Sequence, residues 1–406
     1  MSSTITARAQ ALSDADVERL RQATPGVAQI VHFNHAAASL PSAATVQAVI
    51  GHLQREAAMG PMEAARAAQD TLDATRQRAA RLIGAQAGEI AFASGCSDAW
   101  GRAFAALGPW APGDRILVGR HEWGGNLATM QQVAGRAGAR IEAIPCGADG
   151  RVSPDALQAM LDDRVKLISL TWLPANGGLV NPAAEIGAIA RRHGIAYIVD
   201  AAQALGQLPI DVATLGCDVL VAPVRKHLRG PRGLSLLYVR DGFADRLVPA
   251  FVDTSSAPIG IDGESALRRG AQRLETSEQP VALLCGLANA LQEALDLGIE
   301  AIRARLDANA GTLRERLACI PGVTLHDLGQ PCSALVSFNV NGMAAADVRQ
   351  ALAQQGINIT ANGVPYTPLD MRARGLDSVA RASVSYLTSA AELDRLIAAV
   401  TQLARH

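Results

Sequence analysis

Apolar and polar positions alternate in blocks along this chain. From about Ile30 to about Val239 one pattern repeats: a short apolar run, a glycine-rich or polar loop, then apolar residues at helical spacing. The apolar runs are EIAFA (Glu89 to Ala93), RILVG (Arg115 to Gly119), ARIEAIP (Ala139 to Pro145), VKLISLTW (Val165 to Trp172), AYIVDA (Ala196 to Ala201), DVLVAP (Asp218 to Pro223) and LSLLYV (Leu234 to Val239). They read as strands, and their uniformly apolar character suits a mostly parallel sheet covered by helices on both faces, an α/β fold. Ser153-Pro154 and Asn181-Pro182 each place a capping side chain before a proline at the first helical position. Gly194 can close the second of these helices.

After about Asp253 the texture changes. A long helical pattern runs from Val281 to about Leu317 with a break near Gly298, and a smaller α+β unit follows. That unit comprises VTLHDL, ALVSFNV, a helix from Ala344 to Gln355, INITAN, ASVSY and a last helix opened by the capping box Ser389 to Glu392. The expected organisation is an N-terminal helical segment (residues 1–29), a large α/β domain (30–260), connector helices (261–318) and a small C-terminal α+β domain (319–406).

Composition narrows the function classes. The 406 residues are 49% hydrophobic, enough for a large core, and 37 Lys plus Arg against 38 Asp plus Glu leave a net charge of -1. No charge field recruits nucleic acid or a membrane surface. The best apolar stretch, between Glu278 and Glu293, is shorter than the roughly 20 residues that span a bilayer, and it carries Gln and Asn. The N-terminus lacks the apolar core of a signal peptide. Six cysteines lie far apart, with no C-x-x-C pair and no His cluster at zinc spacing, so a cytoplasmic protein with reduced thiols and no metal is expected. Aromatics make up only 3%, which draws attention to the four Trp: Trp100 and Trp110 flank one helix, Trp172 ends a strand, and Trp123 falls in a polar loop. All four are expected on or near one side of the sheet.

In an open α/β sheet, ligands bind beyond the carboxyl ends of the strands, so the loops there carry the chemistry. After EIAFA comes Ser94-Gly95-Cys96-Ser97 and then a helix, which gathers amides and a hydroxyl at a helix start as an anion site does. An ordinary Ser-capped helix would look the same. Asp200 ends a very apolar strand, where a carboxylate requires a partner or a capping role. After DVLVAP, the run Arg225-Lys226-His227-Leu228-Arg229-Gly230-Pro231-Arg232-Gly233 sets one lysine among arginines, whose charge disfavours the ammonium and frees a nucleophilic amine. A solvated basic face is the alternative, although this cluster lies between two buried strands. In His121-Glu122-Trp123-Gly124-Gly125-Asn126 the Trp is poor core material but a good flat lid for a planar ligand. An anion cup, a strand-end Asp, a Lys and an aromatic lid together fit pyridoxal phosphate.

From FNHAAAS at Phe33 to RASVSY ending at Tyr386, the chain resembles the class V aminotransferases among the fold-type I pyridoxal phosphate enzymes, the branch of cysteine desulfurases, selenocysteine lyases, isopenicillin N epimerase and the carbon-sulfur lyase of ergothioneine synthesis. VDAAQALG (Val199 to Gly206) and RKHLRGPRG (Arg225 to Gly233) carry the likeness most specifically. It implies that Lys226 bears the cofactor and is catalytic, that Gly95, Cys96 and Ser97 form the phosphate turn, that Asp200 faces the ring nitrogen, and that Gln203 lies near the phenolic oxygen. It further implies a cofactor role for Asn176 and a hydroxyl from Thr276 sent to a neighbouring subunit, while Arg225, which stands where the family places a His, is expected to contact the phosphate instead. Arg381 would clamp the substrate carboxylate, and Asn34 and His35 would begin the substrate mouth, although a lone His is more often a structural residue. The family's usual form is a homodimer with shared active sites acting on an amino acid.

Departures matter too. Trp123 stands where desulfurases stack a His, Pro223 and Arg225 stand where they place a Ser and a His, and the segment between Ile359 and Ala380 contains no cysteine to carry a persulfide. The expected activity is therefore a β-eliminating carbon-sulfur lyase, with aminotransferase or epimerase as alternatives and a non-catalytic homologue as a rival from another class.

Overall fold

A computed structural model describes residues 11–405 of the protein. Its centre is a seven-stranded sheet: β1 (Ile90–Ala93), β2 (Arg115–Gly119), β3 (Arg140–Ile144), β4 (Val165–Thr171), β5 (Ala196–Asp200), β6 (Val219–Pro223) and β7 (Ser235–Val239). The order across the sheet is β1-β7-β6-β5-β4-β2-β3, and only β7 runs antiparallel to its neighbours. Each strand lies within one or two residues of an apolar run in the sequence. The central ones have no exposed position because helices cover both faces, and burying each Val, Leu or Ile there contributes about 1.5–3 kcal/mol.

Register then assembles the site. Thr171 lies beside Asp200 and Asp200 beside Val221, while Ser235 pairs with both Pro223 and Ala93. The carboxyl ends of β4, β5 and β6 therefore open along one edge, with the turn after β1 set next to the turn after β6.

A second sheet, wholly antiparallel, contains β8 (Val323–Leu325), β9 (Leu335–Val340), β10 (Thr360–Gly363) and β11 (Ser378–Ser383) in the order β10-β11-β9-β8. The helices Val281–Leu297 and Ile299–Ala318 join the two sheets, and they break at Gly298, whose φ of 76° is left-handed. Val31–His32 pairs in parallel with Ile357–Asn358, and Asn34 bridges to Ser383, so the stretch that opens the expected large domain is stitched to the small one. Of the expected N-terminal segment, residues 1–10 lie outside the described residues, and Asp14–Gln22 is helical with Ser13 as its cap.

Several local expectations need correction. Ser153 does cap its helix, accepting from the Ala156 amide, but Asn181 does not. Its side chain instead donates to Thr171 O and accepts from Val152 N, because a buried amide at a strand junction satisfies more backbone there than at a helix start. INITAN breaks into two short strands, and the last strand is Ser378–Ser383 rather than ASVSY, which puts Arg381 inside it. Of the four Trp only Trp123 borders the main site: Trp100 and Trp110 sandwich Phe104 in the core, and Trp172 packs into the opposite core.

Candidate active site

The strand ends surround a cavity of about 320 Å³ bordered by the turn after β1, Trp123, Asp200, Gln203 and Lys226. Its floor is built first by β4 and β5. Along an otherwise apolar strand, Ser169 and Thr171 point to the same face, and both hydroxyls donate to the fully buried Glu122, at 2.9 Å each. Glu122 Oε1 also accepts from the Trp123 amide and from Asn126 Nδ2, which donates in turn to Asp200 Oδ2 at 3.0 Å. The Ala202 amide donates to the other Asp200 oxygen. Burial raises the Asp200 carboxyl above its usual range, opposed by these donors and by Lys226.

Lys226 lies in the turn after β6, half-buried and opening onto the cavity. Burial lowers its ammonium to about 8; Arg225 and Arg381 push the same way, while Cys96 and Asp200 oppose them. The expected crowding by arginines is thus only partly responsible. Arg229 turns away to bond Leu40 O, Glu293, Tyr386 and Thr24, and Arg232 is exposed. Among the described residues the Lys226 amine has no hydrogen-bond partner.

At the other end, the helix Cys96–Ala105 directs its first amides at the cavity, with Gly95, Cys96 and Ser97 on the rim. A Cβ on Gly95 would meet nothing within 4 Å, so its side-chain direction is open space. Burial raises the Cys96 thiol far above its usual range, which keeps it protonated. Arg225 borders the same end and donates to Ala37 O.

Other expected site residues take different places. Gln203 borders the cavity and donates to Ala36 O at 3.0 Å, leaving its buried Oε1 without a partner. Arg381 is buried behind Ala175, to whose carbonyl it donates at 2.6 Å; its Nε is unpartnered, and no carboxylate pairs with it among the described residues. Burial lowers even this guanidinium, to about 10. Asn176 does not border the cavity; its amide donates to Thr367 Oγ1 and Gly363 O and so holds the segment above. Thr276 lies outside the cavity of its own chain, where its carbonyl accepts from Gln279. His35 is buried away from it, bonded to Ser39 and edge-on to His32, and burial holds its imidazole neutral. Asn34 likewise belongs to the strand junction with Ser383. Glu122 and Asn126 escaped notice in the sequence, although they stand four apart in the same polar loop as Trp123.

These features fit pyridoxal phosphate: helix-start amides, a buried acid at the cavity wall, an orphaned Gln203 oxygen, a free amine and a flat aromatic wall. Residues 30–396 match the sequence family described as aminotransferase class-V. The chain belongs to that family. As a class V member it is a pyridoxal-phosphate-dependent enzyme, and it is 28% identical over 351 residues to a cysteine desulfurase of Salmonella agona (strain SL483), covering 83% of this chain and 84% of the relative. Its fold is similar to the apo structure of a cysteine desulfurase from Thermococcus onnurineus NA1, with a TM-score of 0.87, 24% identity, and 96% and 98% of the two chains covered. A further structural likeness is to the cystine C-S lyase C-DES in complex with its reaction product cysteine persulfide: TM-score 0.85, 25% identity, 93% of this chain and 99% of that one. No single helix among the described residues of this class V chain is long and apolar enough to cross a membrane, and no group of His, Cys, Asp and Glu there is arranged to hold a metal.

Proposed function

We propose that this class V enzyme is a carbon-sulfur lyase that eliminates a sulfur leaving group from a cysteine-derived amino acid and uses no persulfide-forming cysteine of its own. The observation that carries this reading is the segment over the cavity. Residues 359–380 contain no thiol, and Tyr366 stands there instead, edge-on to Trp123 with ring centroids 5.3 Å apart. The one cysteine on the cavity rim, Cys96, is held protonated at the phosphate end. The likeness to C-DES, named as a cystine C-S lyase, supports the same reading.

Pyridoxal phosphate, when bound, supplies an electron sink for the charge left at the substrate's Cα. The chain's own residues do the rest. Arg381, a buried cation with no carboxylate partner among the described residues, receives the substrate carboxylate. Lys226 Nζ, free as an amine near its shifted value, takes the Cα proton. The Cβ–S bond then breaks, the electron pair leaves with sulfur, and a Cα–Cβ double bond forms. The released enamine hydrolyses to pyruvate and ammonia. Asp200 would pair with the ring nitrogen and Gln203 with the phenolic oxygen, and Gly95, Cys96, Ser97 and Arg225 would hold the phosphate.

A homodimer is part of the proposal. Val248, Phe251 and Val252 form an exposed apolar stretch beside the cleft lined by Ser97, and Ser277, next to Thr276, donates its amide to Asp253 at the end of that stretch. Six free cysteines suit a reducing cytoplasm. The deciding assay offers cystine, cysteine and cysteine conjugates and measures products. Pyruvate and ammonia in equal amounts support the lyase; amino transfer to an added keto acid, or racemised substrate, would replace it with the transaminase or the epimerase.

A further inference from the structure

The buried carboxylate beneath the site is unused by the reaction just described. Glu122 has four donors around it: the Ser169 hydroxyl on Oε2, and the Thr171 hydroxyl, the Trp123 amide and Asn126 Nδ2 on Oε1, all at 2.9–3.0 Å. No Lys, Arg or His bonds it among the described residues. Asn126 is held between two carboxylates, Glu122 and Asp200, and one nitrogen donates to both. Since both partners only accept when ionised, the amide has a single workable orientation. Asp200 and Glu122 are thus two acids in series, separated by one amino group and all but buried, with Asp200 at the cavity wall and Glu122 behind it.

We propose that Glu122 is a positioning residue that acts through Asn126 on Asp200, setting the proton affinity of the cofactor's ring nitrogen. The inference rests on the reading of this cavity as a pyridoxal phosphate site. Two effects act in the same direction. A negative charge behind Asp200 raises the potential that holds a proton on the ring nitrogen, and at low local dielectric that influence reaches further than in water. An amino group that already donates to Glu122 is also a weaker donor to Asp200, which leaves Asp200 the better acceptor for the ring. Burial, with Asp200 adding to the rise, pushes the Glu122 carboxyl up to about 7 even against its donors Asn126, Ser169 and Thr171, which keep it from rising further and hold its anion within reach of neutral pH.

The test uses full-length protein reconstituted with pyridoxal phosphate carrying ¹⁵N in its ring, whose chemical shift reports ring protonation directly. Borohydride trapping first establishes that the wild type carries the cofactor on Lys226. Glu122→Gln keeps the shape and removes the charge. Its ring nitrogen should move toward the unprotonated shift, with an apparent proton affinity lowered about 10-fold, the equivalent of one pKa unit. Glu122→Asp, which restores the charge, should recover part of that change. Where Glu122→Gln fails to fold, Ser169→Ala serves instead: it strips one donor from the anion and should move the shift the same way by less. An unchanged ring-nitrogen shift accompanied only by a lower melting temperature would make Glu122 a packing residue and overturn the relay, as would equal effects of Gln and Asp. Failure of the wild type to take up cofactor on Lys226 would instead overturn the cofactor reading, and the relay with it.

Discussion

Pro365 sets its carbonyl oxygen directly over Gly124, where any Cβ would collide with backbone. This contact seats the Tyr366 segment on the Trp123 loop, and Asn176, through Thr367 and Gly363, holds it from the other side. Backbone cannot yield as a flexible side chain does, so Gly124→Ala must lift the segment away from the cavity. The expected result is a loss of about 1–3 kcal/mol in stability with KM raised more than cofactor affinity is lowered. Thermal melts and steady-state kinetics on the same preparation would check both parts.

Arg381 is a buried cation that waits for an anion. Arg381→Met should leave the protein as stable as the wild type or more so, because it removes an uncompensated charge. It should nevertheless cost about 2–4 kcal/mol in kcat/KM, mostly through KM, if the substrate carboxylate binds there. A destabilised variant with normal kinetics would return Arg381 to the framework.

The Lys226 amine makes a pH prediction for the apoprotein. Its folded value, about 8, lies below the unfolded value of 10.5, so the unfolded chain binds the extra proton between those limits and stability rises with pH across them. Below pH 8 the full penalty applies. Lys226→Met apoprotein should therefore exceed the wild type at pH 7 by about 1–2 kcal/mol, after allowance for the half-open amine, and the gap should close by pH 10.5. Urea melts from pH 6.5 to 10.5 would show it.

Trp123→Ala removes the flat wall of the cavity. The cofactor should dissociate about 5- to 15-fold more readily, the worth of an aromatic contact of roughly 1–1.5 kcal/mol, and its absorption band should shift. Spectra recorded during dialysis would decide, and an unchanged band would make Trp123 a packing residue.

The large sheet was legible because its signal is local. An unbroken apolar run such as AYIVDA has no other stable place than a covered strand, and the positions of Asp200 and Lys226 follow from the strand ends. What escaped the sequence is long-range. Glu122 sits in a polar loop of the string, and its donors Ser169 and Thr171 lie on a strand more than forty residues away. His35 carried the right type of side chain for a substrate mouth, yet three-dimensional packing turned it toward Ser39 and His32. The basic run around Lys226 put that lysine at a strand end beside the cavity but overstated its neighbours, since a charge in a string has no direction, and Arg229 points into a separate network.

Val31 pairs with Ile357, and Asn34 with Ser383. A ribosome releases this chain from its N-terminus, so the first strand emerges long before its partner exists. The Asn34–Ala38 stretch, whose Ala36 and Ala37 carbonyls hold Gln203 and Arg225, lacks its ties to the small domain until nearly the whole polypeptide has been made. The cavity is therefore among the last parts to close, and a nascent or C-terminally truncated chain would present a formed sheet without a competent site.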